Sequence, residues 1–187
     1  MAPQIFSEQI KHGAWGITAG AINQIQVMFD FGIKKVLLAN QLLGKSHLET
    51  IASYINQNKN FSFYCFVDSI EQFSNIKKNL GDQNLTNPIN LLPEIGAENG
   101  RTGIRKKEDF LKLVNIIGED SSKNFTFAGI SSYEGIAAVA MKGSDAVHDF
   151  CSKIEDIIND IPSNYYSHLN ELLITAGGST HFDIVGE

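Results

Sequence analysis

The feature of the sequence that most constrains its fold is a regular alternation of short apolar runs with amphipathic segments. Each apolar run is too short for a buried helix, and each ends in small or polar residues. Runs of this kind are typical of strands that are buried on both faces, as in a parallel sheet. The six runs cover residues 14–20, 34–41, 61–69, 89–96, 125–133 and 172–179.

Helices are predicted between these strands, because apolar residues there recur at intervals of three and four. A helix with this spacing buries one face against a sheet and leaves the other face in water. Three segments show the pattern: Leu48, Ile51, Ala52 and Ile55; Phe110, Leu113, Val114 and Ile117; and Val147, Phe150, Cys151 and Ile154.

The alternation of strands and helices predicts the α/β class. Repeated β–α units with right-handed crossovers form a parallel sheet, which is either doubly wound or closed into a barrel. A complete (β/α)8 barrel needs eight strands and about 250 residues, whereas this chain offers six runs in 187 residues. The chain also begins with a predicted helix, at Pro3, and not with a strand.

Composition excludes several classes of partner. With 43% hydrophobic and 19% charged residues, the chain is expected to fold as one domain around a core. A net charge of −6 argues against nucleic acid and anionic membrane surfaces, since both require basic patches. No stretch is long enough to span a bilayer, no signal peptide is evident and the histidines lack metal-ligand spacing. We therefore expect a cytoplasmic protein without a metal site in this chain.

Candidate site residues follow the apolar runs, because the carboxyl ends of parallel strands carry the active sites of α/β folds. The segment PEIGAENGRTGIR, residues 93–105, contains both arginines among fifteen basic residues. A guanidinium group is a rigid fork that matches carboxylate or phosphate. Glu94 in this segment either acts as a general acid or base or neutralises an arginine, and we favour the second. Asn40 and Gln41 either bind substrate or satisfy loop backbone.

Two further strand ends carry candidate binding groups. The run TAGGST, residues 175–180, combines glycines with Ser179 and Thr180. Its backbone N–H groups and hydroxyls can bind phosphate, although a plain turn is the alternative. Late loops of barrels often bind phosphate, which favours the first interpretation. Tyr133, after the fifth run, is either a packing residue or a flat face for a cofactor ring.

These strand-end motifs together resemble the barrel of pyridoxal-phosphate (PLP) enzymes with the alanine-racemase-type fold, fold type III. The motifs GAWGITAG, VLLANQLLG, PEIGAENGRTGIR, FAGISSYEG and ITAGGST occur in this order, and the resemblance extends from Pro3 to about Val185. It is greatest to the branch of D-threonine aldolases and D-serine dehydratases. The resemblance implies that residues 1–187 are an incomplete parallel (β/α)8 TIM-type barrel domain, an internal part lacking the first and last strands. The C-terminal β domain of the family is then absent.

The resemblance also implies pyridoxal 5′-phosphate as the cofactor and a role for each matching residue. Arg101 resembles the arginine near the phenolic oxygen of the cofactor and the substrate carboxylate. Tyr133 matches the position beside the cofactor ring, and Asn40 and Gln41 fall in the substrate pocket. The phosphate-binding turn corresponds to Gly177, Gly178, Ser179 and Thr180.

Two parts of the family pattern are not matched in this sequence. The Schiff-base lysine of the family follows its first strand, which would lie upstream of Met1, and no catalytic residue is predicted within the chain. Lys34 and Lys35 begin a strand and therefore point to the wrong end of a barrel. The divalent metal site of the aldolase and dehydratase branch is expected in the missing C-terminal domain. The chain alone is then expected to be inactive.

The predicted function is part of a PLP-dependent enzyme acting on D-hydroxy-amino acids. Retro-aldol cleavage, as by D-threonine aldolase, is favoured over elimination, as by D-serine dehydratase, on the motifs GRTG and SSYEG. The alternatives are a non-catalytic truncated remnant that at most binds a phosphate compound, an amino-acid racemase, and a phosphate-binding barrel enzyme of other chemistry. The expected partner is a small-molecule D-amino acid, and a homodimer is left open.

Overall fold

The computed structural model describes residues 2–98, 100–135, 144–176, 178 and 180–186. The chain divides into two compact units. The first unit comprises Met1–Val67, Glu71–Leu91 and Asp120–Thr126. The second unit comprises Asp68–Ile70, Leu92–Glu119 and Phe127–Glu187.

Helices and strands alternate along the described chain, as the sequence predicts. In chain order they are α1 (Pro3–Lys11), β1 (Ile17–Ala19), α2 (Ile22–Asp30), β2 (Lys35–Gln41), α3 (Lys45–Gln57), β3 (Ser62–Val67), α4 (Ile70–Leu80), β4 (Ile89–Ile95), α5 (Lys107–Gly118), β5 (Phe125–Phe127), β6 (Gly129–Ser132), α6 (Ser144–Asn159), a 3-10 turn (Ser163–Tyr165), β7 (Leu173–Thr175) and α7 (Phe182–Val185).

Strands β1, β2 and β3 pair in parallel in the first unit. Val36 of β2 lies opposite Ile17 of β1 and Phe63 of β3, and all three side chains are buried. The successive residues Leu37 and Leu38 are buried as well, so the centre of β2 is buried on both faces, which explains its apolar run at residues 36–39. The register of β2 against β3 shifts between Leu38 and Gln41, which marks a β-bulge near the carboxyl end of β2.

The predicted helical stripes are confirmed as the buried faces of α3, α5 and α6. The longest described helix, α6, has 16 residues. No helix in the described part of the chain is both long and apolar enough to cross a lipid bilayer. Every residue of the three stripes is buried except Cys151, which is half-buried.

Strands β4, β6 and β7 pair in parallel in the second unit. Glu94 lies opposite Ser131, and Ser131 lies opposite Thr175. Neighbouring residues in register share one face of a parallel sheet. The pairing therefore forms one row of polar residues near the carboxyl ends of three strands.

The predicted fifth strand, residues 125–133, is divided into β5 and β6, so the described chain has seven strands where the sequence predicts six. The division falls at Ala128, immediately before Gly129, whose φ angle is +151°. A Cβ atom at this position would overlap the carbonyl oxygen of Leu173 on β7. Only glycine allows this close approach, so the strand is interrupted there. The predicted α/β class with parallel strands is confirmed.

A buried amide fixes the end of α4 in the first unit. Asn124 is only 4% exposed. Its Nδ2 donates shared hydrogen bonds to the carbonyl oxygens of Leu80 at 2.8 Å, Gly81 at 3.0 Å and Gln83 at 2.6 Å. The last carbonyls of a helix have no partner within the helix, and Asn124 supplies one from a distant part of the sequence.

Replacing Asn124 with alanine is expected to lower the free energy of unfolding by about 2 kcal/mol, because buried carbonyls lose their donor. Urea unfolding measures the change. The control is Asn75→Ala on the exposed face of α4, which is expected to change stability by less than about 0.5 kcal/mol. Equal losses in the two variants would contradict the anchoring role of Asn124.

Candidate functional site

The segment that carries both arginines folds back onto the carboxyl end of β4. We call residues 96–105 the arginine loop. The N–H of Gly96 donates to the carbonyl of Ile104 at 2.9 Å, and the N–H of Ile104 donates to the carbonyl of Glu94 at 2.8 Å. Ile95 and Ile104 form an isolated parallel bridge. The end of the loop is thereby held against the strand by backbone hydrogen bonds.

Two glycines make this close approach sterically feasible. Gly103 has a φ angle of +80°, and a Cβ there would lie 2.5 Å from the nitrogen of Gly96 and 2.7 Å from the carbonyl carbon of Ile95. A Cβ on Gly96 would overlap the carbonyl oxygen of Thr102. The glycines of the motif are therefore required by backbone packing as well as by backbone conformation.

Arg105 stabilises the arginine loop from within. Its two terminal guanidinium nitrogens donate to the carbonyl oxygens of Gly100 and Gly103. Its own carbonyl accepts a hydrogen bond from the Nζ of Lys153 on α6 at 3.3 Å. Arg105 precedes α5 by two residues, and its side chain turns back toward the loop instead of toward a ligand.

Arg101 is the other arginine, and it is exposed. Among the residues that the structure describes, its guanidinium makes no hydrogen bond and no ion pair. Arg105 donates to carbonyls of its own loop, whereas the guanidinium of Arg101 is exposed and accessible to a ligand. The two arginines are only four residues apart, but Arg105 binds carbonyls of the loop and Arg101 is bound to no described residue.

Glu94 is a buried carboxyl group at the base of the arginine loop. It is 5% exposed and its Oε1 accepts a hydrogen bond from Oγ1 of Thr102 at 2.7 Å. Burial raises the pKa of Glu94 above its ordinary value, and the charge of Asp68 raises it further. The Thr102 hydrogen bond and the cations Arg101 and Arg105 act in the opposite direction. Glu94 therefore interacts electrostatically with both arginines.

Two buried serine hydroxyls lie at the end of β6. Ser131 is 1% exposed and Ser132 is 7% exposed, and neither Oγ atom has a hydrogen-bond partner among the described residues. A buried polar group without a partner costs about 1–3 kcal/mol. Ser131 shares a sheet face with Glu94, so a ligand bound at the strand ends would be placed to satisfy it. Sequence reasoning did not single out these serines, although both stand in the strand-end motif SSYEG.

The residues after β6 contact the turn after β7. A Cβ on Gly178 would lie 3.1 Å from Cε2 of Tyr133, so the tyrosine ring lies directly against this glycine. The N–H of Gly178 donates to Oε1 of Glu134 at 2.8 Å. Glu134 is 1% exposed. Sequence reasoning missed Glu134, whose only signal is its position immediately after the strand-end tyrosine.

The structure describes four of the six predicted cofactor-binding residues, and all four belong to the second unit: Arg101, Tyr133, Gly178 and Thr180. The structure brings Tyr133 and Gly178 together, and Thr180 is exposed just before α7. No hydrogen bond or ion pair among the described residues joins Arg101 to Tyr133 or Gly178. Their binding roles stay predictions. The predicted positions Gly177 and Ser179 lie outside the described residues.

Asn40 and Gln41 belong to the first unit, at the end of β2. The Nδ2 of Asn40 lies 3.4 Å from the carbonyl oxygen of Gly20, a long hydrogen bond, and its Oδ1 accepts the N–H of Gln41 at 2.9 Å. These contacts agree with the interpretation that Asn40 satisfies loop backbone. A role of the two residues in binding substrate stays a prediction.

Three described residues of the second unit carry groups of the kind that bind a ligand with a flat ring and an anionic group. Arg101 offers donors for an anion, Tyr133 offers a ring that is 43% exposed, and Ser131 offers an unpartnered buried hydroxyl. A side chain at position 178 would press on the ring of Tyr133, since its Cβ would lie 3.1 Å from Cε2. For a metal ion, the described parts of the chain hold no group of three or more His, Cys, Asp or Glu side chains in a suitable arrangement.

Comparison with solved structures identifies the fold. The chain is similar to D-threonine aldolase from Filomicrobium marinum, with a TM-score of 0.76 and 22% identity over 98% of this chain and 48% of that one. It is similar to histidine racemase from Leuconostoc mesenteroides, with a TM-score of 0.70 and 13% identity over 94% of this chain and 42% of that one. It is also similar to D-threo-3-hydroxyaspartate dehydratase from Delftia, with a TM-score of 0.59 and 16% identity over 94% of this chain and 50% of that one.

These similarities confirm the resemblance predicted from the motifs. The chain has the fold of the alanine-racemase-type (fold type III) PLP enzymes, as a part of their parallel TIM-type barrel. It spans half or less of the length of the solved structures that it matches. No protein-family model and no curated protein matches the sequence. At this level of identity the comparisons establish the fold, and the activity is a separate question.

Replacing Gly103 with alanine is expected to lower the free energy of unfolding by more than the roughly 1–2 kcal/mol that a left-handed alanine costs, because the new Cβ collides with Gly96 and Ile95. The matched control is Gly32→Ala, since Gly32 has a φ of +76° and nothing within 4 Å of its Cβ position. Urea unfolding compares the two variants. Similar losses would show that backbone conformation alone, and not the close approach, requires glycine at 103.

The raised pKa of Glu94 predicts a pH dependence of stability. The unfolded state releases this proton at a lower pH than the folded state, so Glu94 lowers stability as pH rises from its ordinary pKa through its folded pKa. Glu94→Gln keeps an acceptor for Thr102 and cannot ionise. The difference in unfolding free energy, variant minus wild type, is therefore expected to increase with pH across this window. Urea unfolding from pH 4 to pH 8 measures it, and a difference independent of pH would contradict the assignment.

Proposed function

We propose that this chain is part of a PLP-dependent enzyme that acts on D-hydroxy-amino acids, with retro-aldol cleavage of a D-threonine-type substrate as the favoured reaction. The observation that carries the proposal is the arginine loop. In this loop Arg101 follows the end of a parallel strand, on a backbone that hydrogen bonds hold against the strand. The chain has the fold of these enzymes. The similar solved structures include a D-threonine aldolase and a D-threo-3-hydroxyaspartate dehydratase, whose names denote D-hydroxy-amino-acid substrates.

The residues of the chain bind and orient in this proposal. Arg101 binds the carboxylate of the amino acid and the phenolic oxygen of the cofactor, since its planar fork matches such oxygens. Tyr133 packs beside the cofactor ring, and the turn at Gly178 and Thr180 holds the phosphate. The buried hydroxyl of Ser131 donates a hydrogen bond to the bound ligand. Bound PLP supplies an electron sink for the electron pair left when a bond to the α-carbon breaks.

Other parts of the function are proposed for the whole protein. The lysine that binds PLP and the divalent metal of the aldolase and dehydratase branch are expected in parts of the protein other than this chain. The proposed partner is a small-molecule D-amino acid. The cytoplasmic location and the homodimer stay predictions.

The proposal is tested on the purified whole protein mixed with PLP. We expect a visible absorption band that borohydride bleaches, and release of acetaldehyde and glycine from D-threonine. Pyruvate and ammonium from D-serine would indicate the elimination reaction, and formation of an L-amino acid would indicate a racemase. A protein that contains the lysine but shows no absorption band with PLP would refute the proposal, and binding without turnover would indicate the non-catalytic alternative.

Replacing Arg101 with alanine is expected to lower kcat/KM by about 100-fold or more, because an oriented cation is lost from the site. Arg101→Lys keeps the charge without the planar fork and is expected to restore only part of the loss. Lys106→Ala, which removes an exposed cation next to the loop, is expected to leave kcat/KM within about twofold of wild type. Steady-state kinetics measures the three variants, and circular dichroism checks their folding. An unchanged kcat/KM in Arg101→Ala would refute the role of Arg101.

A further inference from the structure

The turn after β7 is held by a buried carboxylate. Glu134 follows β6 by two residues and accepts the N–H of Gly178 at 2.8 Å, with 1% of the glutamate exposed. A hydrogen bond from an N–H to a carboxylate is stronger than one between neutral groups, and burial removes the competition of water. This contact therefore connects the loop after β6 to the glycine turn after β7.

The neighbours of Glu134 complete the contact. A Cβ on Gly178 would lie 3.1 Å from Cε2 and 3.4 Å from Oη of Tyr133, and 3.6 Å from Oε1 of Glu134. A Cβ on Gly135 would lie 2.6 Å from Oη of Tyr133. The tyrosine ring therefore covers both glycines while the glutamate holds the amide. Two consecutive residues, Tyr133 and Glu134, therefore contact Gly178.

This arrangement changes the role expected of Gly178. Its single N–H is already donated to Glu134, so it is not the donor that a phosphate would need. A carboxylate close to a phosphate also repels it, so Glu134 cannot contribute to anion binding by its charge. What Glu134 can contribute is geometry, because it holds the backbone at Gly178, two residues before the exposed Thr180.

We propose that Glu134 is a positioning residue that holds the backbone at Gly178, so that Thr180, two residues later, is placed to bind the phosphate group of the cofactor. This inference rests on the proposed function, since it takes the phosphate of a vitamin-B6 compound as the ligand of the turn. In this inference Gly178 contributes its N–H to Glu134 and its small size to the contact with Tyr133. Glu134 acts through the turn and touches neither the substrate nor the reacting atoms.

The test uses two ligands that differ only in phosphate, 4′-deoxypyridoxine 5′-phosphate and 4′-deoxypyridoxine. Neither has an aldehyde, so neither reacts with the many surface lysines. Equilibrium dialysis gives both affinities for wild type, Glu134→Ala and Glu134→Gln. The control is Glu155→Ala, which removes an exposed glutamate of the same unit on α6.

We expect wild type to bind the phosphorylated ligand more tightly, and Glu134→Ala to lose about tenfold or more of that affinity while its affinity for the other ligand stays within about twofold. Glu134→Gln keeps an acceptor oxygen for Gly178 and is expected to lose no more than about threefold. Glu155→Ala is expected to match wild type. Glu134→Ala binding the phosphorylated ligand as tightly as wild type, both ligands weakening equally, or Glu134→Gln losing as much as Glu134→Ala would overturn the inference.

A second measurement tests the hydrogen bond without any ligand. Hydrogen exchange of the Gly178 amide, followed by NMR, is expected to be about tenfold or more faster in Glu134→Ala than in wild type, with Glu134→Gln close to wild type. If Glu134→Ala is folded and its Gly178 amide exchanges at the wild-type rate, the inference is overturned. Wild type binding both ligands equally would refute the proposed phosphate site instead, so failure of the proposed function is distinguishable from failure of the role of Glu134.

Discussion

The parallel pairing of β6 with both β4 and β7 is the constraint on which the candidate site depends. Because the pairing is in register, Glu94, Ser131 and Thr175 form one row near the carboxyl ends of three strands. The loops that follow these strands then start from neighbouring positions, so side chains distant in sequence are brought close together. The contact of Tyr133 with Gly178, across 45 positions of sequence, is a direct result.

Local patterns predicted the elements of this fold well, and contacts between elements accounted for what they missed. The stripes of α3, α5 and α6 were predictable because a helix buries residues at a fixed interval. The interruption before Gly129 was not, because its neighbours Phe127, Ala128 and Ile130 continue an apolar run. The glycine is needed there only because the carbonyl of Leu173, 44 positions later, approaches its backbone. No local pattern contains that information.

In the candidate site too, local patterns predicted some residues, and contacts between elements account for those that were missed. The sequence singled out the arginine loop, since both arginines and three glycines occur there, and the family resemblance singled out Arg101. That Arg105 binds the carbonyls of Gly100 and Gly103 could not be predicted, because it depends on how the loop folds back on β4. Glu134 was missed for a similar reason. Its importance derives from the amide of Gly178 and not from any motif of its own.

The two ends of the candidate site differ in how many interactions hold them. The arginine loop has backbone hydrogen bonds to β4, two carbonyl contacts from Arg105 and the bond from Thr102 to Glu94. All of these lie within the protein, so the loop is ordered before a ligand binds, and binding need not supply that ordering. Among the described contacts of the glycine turn, one buried hydrogen bond to Glu134 has the corresponding role. A change of this one side chain is therefore expected to alter the backbone at Gly178.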